Sequence, residues 1–120
     1  MFIDFKKLGR SWKFAIAGLK DIVKEEDSFK IELLIGIFVT LATFYFGLST
    51  LEKVAVYIII FFVLFAELIN SVVERIMDVY HPTFDPQVKK IKDICSAIVL
   101  LSIIMSVIVG FLVFIDNIPV

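Results

Sequence analysis

Three stretches of the chain, 33–51, 54–73 and 94–115, are nearly free of charge; within them only Glu67 interrupts the apolar run. At a rise of about 1.5 Å per residue, each is long enough to cross a hydrocarbon core of about 30 Å and predicts a transmembrane helix. The N-terminal segment follows a different pattern. Phe5, Leu8, Trp12, Ile16, Leu19 and Val23 recur at steps of three and four, which places them on one helical stripe, with Lys6, Lys13, Lys20 and Lys24 to its sides. An apolar stripe with a tryptophan and flanking lysines predicts a helix lying in the headgroup plane; the alternative is that the stripe packs on the bundle. No continuous apolar core of the secretory-signal kind occurs before residue 28. The short link 49–53 makes the first two spans an antiparallel hairpin. The second link, 78–88, holds Pro82 and Pro86, which keep it from continuing either helix. The pattern as a whole predicts an all-α membrane protein of one domain, 1–120. It has a surface helix over 1–27 and transmembrane helices over about 29–51, 54–77 and 92–115.

Composition agrees with a lipid solvent: 60% of residues are apolar and the mean hydropathy is +0.98. The net charge of −1 says little, but its distribution says more. Lys6, Lys7, Arg10, Lys13, Lys20, Lys24 and Lys30 precede the first span, and Arg75, Lys89, Lys90 and Lys92 flank the second link; Lys53 alone lies in the first link. By the positive-inside rule the N-terminus and second link are cytoplasmic and the C-terminus is outside. A single cysteine, Cys95, and a single histidine, His81, exclude an internal disulfide, a multi-cysteine metal site and bis-histidine haem ligation.

The candidate chemistry lies in the second span. Glu67, Asn70, Ser71, Glu74 and Asp78 share one helical face in its cytoplasmic part, with Glu67 roughly 15 Å from the inner end. An ionisable group at that depth is costly unless paired or facing water, so a functional role is the default; the plain structural alternative is interhelical hydrogen bonding by Asn70 and Ser71. Two more polar clusters face the same side, Glu26 to Glu32 entering the first span and Lys92 to Ala97 starting the third. Carboxylates beside a lysine at a membrane border suit Mg²⁺ shared with substrate phosphates. No Gly-rich nucleotide loop or kinase catalytic-loop motif is present. The residues alone therefore define an intramembrane acidic site open to the cytoplasm.

Glu67-Leu68-Ile69-Asn70-Ser71-Val72-Val73-Glu74, followed by Asp78 and by Lys92-Asp93-Ile94-Cys95-Ser96-Ala97, resembles the signature of the prokaryotic diacylglycerol kinase family, which includes undecaprenol kinases. Ser11-Trp12-Lys13, Ala17-Gly18-Leu19 and the Glu26, Phe29, Glu32 spacing resemble it too. The resemblance implies an ATP-dependent lipid kinase of the bacterial inner membrane, acting on diacylglycerol or undecaprenol as a homotrimer with active sites shared between chains. It implies Glu67 as the general base, Glu26 and Glu74 as the acids that bind Mg²⁺ with ATP, and Lys92 and Asp93 as nucleotide contacts. Phe29, Glu67, Asn70 and Ser96 are implied at the lipid substrate. Tyr80-His81 stand further from Lys92-Asp93 than the family's Tyr-His pair, and register kept from Asp78 puts Asp85 in the histidine position, so that nucleotide contact falls to Asp85 or His81. Arg10 stands where a tyrosine often precedes Ser-Trp. Expected partners are ATP, a membrane lipid alcohol and the bilayer, with no nucleic acid. Two rival classes fit less of the pattern. A proton-coupled transporter needs a route to the far side, where only Glu52 and Asp116 stand; a membrane anchor leaves the stripe unexplained.

Overall fold

The computed structural model describes residues 2–119 as four helices: α1 (Phe5–Glu25), α2 (Asp27–Tyr45), α3 (Thr50–Tyr80) and α4 (Pro86–Ile115). The last three are long and apolar enough to cross a membrane, so the molecule is an all-α membrane protein.

Helix α1 begins at Asp4, whose side chain accepts from the Lys7 amide at 3.0 Å. Most of its apolar stripe is open within the chain, with Trp12 66% exposed. Only the last turn is held: Ile22 is buried with Phe29 and Leu64, against Val23, Leu33, Ile60 and Leu68. One residue separates α1 from α2. Glu26 is extended (φ −111°, ψ 106°) and turns the chain from one helix into the next.

Helix α2 ends earlier than its apolar run. It stops at Tyr45 rather than near residue 51 because Gly47 takes a left-handed conformation (φ 63°), which glycine adopts without steric cost. Ser49 then caps α3 in a reciprocal box: its hydroxyl accepts from the Glu52 amide, and the Glu52 carboxylate accepts from the Ser49 amide. The hairpin is tight. A Cβ on Gly36 would stand 3.0 Å from Cγ2 of Ile60, so glycine lets the two backbones approach. Toward the outer side, the buried Thr43 hydroxyl meets the Thr40 carbonyl at 2.6 Å and the Tyr57 hydroxyl at 3.3 Å.

Helix α3 has 31 residues, about 46 Å by helical rise, so it outruns the hydrocarbon core and carries its last turns beyond it. It is the central element, packing on α2 and more extensively on α4. Asp85 caps α4 through bonds from the Gln87 and Val88 amides, with Pro86 in the first turn, where a missing N–H costs nothing. At the outer end Asn117 donates to Glu52 at 2.9 Å, joining α4 to the start of α3. The radius of gyration is 18.1 Å, against about 14 Å for a compact globule of this length. Large side chains such as Phe38 and Leu101 remain open to lipid or to neighbouring chains.

Candidate active site

The elbow brings Glu26 back onto the inner part of α3, 45 positions along the chain. Ser71 Oγ donates to Glu26 Oε1 at 2.9 Å, and Arg75 Nη2 reaches the same oxygen at 3.5 Å while holding Glu25 Oε2 at 2.6 Å. On the same turn of α3, Asn70 Nδ2 approaches Glu74 Oε1 at 3.4 Å. Glu67 is half-buried one turn before Ser71, on the same face of α3 as Asn70 and Glu74.

Glu32, quoted in the sequence motif but given no role, lies on α2 at the polar end of an apolar groove. It directly precedes the uncharged run that begins at residue 33, where a carboxylate reads as the polar end of a span. Its position three residues beyond Phe29, on the turns that leave the elbow, is the signal that would have found it. From Glu32 an apolar groove of about 420 Å³ runs outward between α2, α3 and α4, lined by Ile35, Val56, Ser106 and Phe114 among others.

Several expected residues sit differently. Phe29 is 5% exposed and packs in the core with Ile22 and Leu64, so it supports the groove wall from behind instead of facing lipid; its position on the inward side of the first turn of α2 accounts for this. Asp85 spends its carboxylate on capping α4, while His81 is exposed at the end of α3. Lys92 pairs with Asp78 at 2.6 Å, and Asp93 with Lys89 at 2.7 Å; both pairs are partly open to solvent, where such contacts add little stability and exchange readily. Ser96 is exposed. Among the described residues, no hydrogen bond or ion pair joins Lys92, Asp93 or Ser96 to Glu26, Glu67 or Glu74.

Two acceptors are left over. Asn70 Oδ1 is buried without a partner, and Glu26 Oε2 takes no hydrogen bond among the described residues. A buried acceptor in this condition calls for a donor or a cation from outside the chain. Among the described residues no three metal-binding side chains stand close enough to enclose an ion. The oxygen donors that Glu26, Glu74 and Asn70 offer are of the hard kind that Mg²⁺ takes together with phosphate and water. They do not form a protein-enclosed cage.

Residues 13–114, which include every candidate site residue, match the family described as prokaryotic diacylglycerol kinase. The chain is also similar to the diacylglycerol kinase of Helicobacter pylori, with 31% identity over 100 residues, covering 83% of this chain and 78% of that relative. A match that runs from the surface helix through the end of the last span leaves one assignment: the chain belongs to the prokaryotic diacylglycerol kinase family and is a lipid kinase of a bacterial membrane.

Proposed function

We propose that the chain transfers the γ-phosphoryl group of Mg-ATP to the primary hydroxyl of a membrane lipid alcohol, diacylglycerol or undecaprenol, with its site on the cytoplasmic side. The observation that carries this is the hydrogen bond that brings Glu26 onto α3 at Ser71, beside the Asn70–Glu74 pair with its unpartnered buried amide oxygen and on the helix that carries Glu67. Carboxylates sharing that stretch of helix repel one another, so a cation between them is favoured. The groove accepts a lipid chain and leaves its polar end at Glu32.

In this reading Glu67 takes the hydroxyl proton as the lipid oxygen bonds to the γ-phosphorus, and the bond to the ADP bridging oxygen breaks. Phosphoryl transfer demands chiefly positioning and charge neutralisation, so a four-helix membrane chain is sufficient. Mg²⁺, when bound with the nucleotide, supplies neutralisation of the phosphate oxygens. Glu26 and Glu74 hold it from the elbow and from α3, and Lys92 exchanges Asp78 for phosphate. Asn70 fixes the lipid headgroup next to Glu67. Among the described residues Lys92, Asp93 and Ser96 form no hydrogen bond or ion pair with Glu67 or Glu74, which supports a homotrimer whose sites take α3 from one chain and α4 from another. The basic residues of α1, together with Arg75, Lys89, Lys90 and Lys92 on either side of the 81–85 link, support a cytoplasmic N-terminus.

The test is phosphate transfer by the purified chain in mixed micelles, with labelled ATP and each lipid alcohol supplied in turn. Label appears in the lipid and depends on Mg²⁺. No transfer to either acceptor would sink the reading.

A further inference from the structure

Glu26 is the single residue between two helices, so neither helix fixes its side chain. Two groups on α3 hold it instead. Ser71 is 5% exposed, and its hydroxyl crosses to Glu26 Oε1 at 2.9 Å. The hydroxyls of Ser11, Thr40, Thr43, Ser102 and Ser106 donate to carbonyls of their own helices, which is where helical Ser and Thr usually turn. Ser71 departs from that habit. Arg75 spans Glu25 Oε2 at 2.6 Å and Glu26 Oε1 at 3.5 Å, tying together consecutive carboxylates on the two sides of the elbow. Both contacts fall on the same oxygen of Glu26 and leave Oε2 without a hydrogen bond among the described residues.

We propose that Ser71 and Arg75 are positioning residues for Glu26, holding Oε1 so that Oε2 is presented to a divalent cation; this rests on Glu26 being a metal-binding acid. Carboxylates that bind metals are commonly oriented by hydrogen bonds from a surrounding layer of side chains, whose loss costs about 10–100-fold in metal affinity. The Arg75–Glu25 pair is about half open to water, so the repulsion between its guanidinium and an arriving cation is screened, and the orienting contact outweighs it. Ser71 carries no charge and acts by geometry alone.

The experiment is binding of a non-hydrolysable ATP analogue to the micellar protein as Mg²⁺ is raised, read by calorimetry. Ser71→Ala and Arg75→Gln each shift half-saturating Mg²⁺ upward by about tenfold or more. In turnover assays the same variants show a larger change in Mg²⁺ dependence than in kcat at saturating Mg²⁺, and neither adds a further shift in a Glu26→Gln background. Arg75→Lys recovers part of the shift. If Glu26→Gln moves the Mg²⁺ curve but Ser71→Ala and Arg75→Gln do not, the positioning role is wrong while the metal assignment survives. Tighter Mg²⁺ binding by Arg75→Gln overturns the role of Arg75 and marks it as a competing cation. If Glu26→Gln itself leaves the curve in place, the metal assignment fails first and takes the positioning role with it. Should Arg75→Gln fail to fold, Glu25→Gln decides: it frees Arg75 from its exposed anchor and gives a smaller shift in the same direction, and no shift overturns the role.

Discussion

Glu67→Gln is the sharpest single substitution, because it keeps the shape of the side chain and removes its basicity. Turnover falls by about 10²–10⁴-fold while binding of the ATP analogue persists, the usual contribution of a positioned general base. A variant that keeps more than about a tenth of the rate is incompatible with that role. The shared face was legible from spacing: Glu67, Asn70, Ser71 and Glu74 repeat at helical intervals, and α3 is continuous over them. The contacts were less legible. Ser71 and Arg75 meet Glu26 across more than forty positions, a distance over which no periodicity carries information. Register against the family puts a nucleotide contact on Asp85 or His81; Asp-Pro is also a helix-start signature, and Asp85 caps α4 in the structure. The resemblance implies Phe29 at the lipid substrate; within the chain it is buried against Ile22 of the last turn of α1 and Leu64 of α3, a packing between helices that single-helix patterning does not register.

Hydropathy located three spans but not their ends. Apolar runs continue through turns, so only Gly47 and the Ser49 cap show that α2 stops at Tyr45. Nor does hydropathy show that α3 continues as helix to Tyr80, since its last turns are polar. The amphipathic stripe of α1, by contrast, was legible because its period is independent of what covers it. How closely α2 and α3 approach was invisible in sequence and is testable. Gly36→Leu forces a side chain against Ile60, and overpacking of this kind costs about 1–3 kcal/mol. The thermal midpoint in micelles therefore drops, and activity at low temperature falls less than stability does. An unchanged midpoint means that the helices lie further apart than the structure places them.

For the whole molecule, the first question is where the active site closes. Glu67 and Glu74 share one helix of one chain, so the informative pair is Glu67→Gln with Asp93→Asn, on α3 and α4. Co-reconstituted after subunit exchange, the two inactive variants regain activity above the sum of each alone; no recovery excludes sites shared in this way. The lipid acceptor is a second question. Apart from Glu32, the groove is lined almost entirely by apolar side chains, so a short polyprenol and a short-chain diacylglycerol differ by less than about 100-fold in kcat/KM. A wider gap in favour of diacylglycerol reveals a polar contact to its ester groups. The drawn-out shape and thin interior have a thermodynamic consequence as well. In the proposed homotrimer the faces that this chain leaves open are covered by its copies, so its stability obeys mass action. Diluting the protein with empty micelles, at constant temperature and detergent type, lowers the unfolding midpoint. A melting temperature for this kinase is complete only when the protein-to-micelle ratio is stated with it.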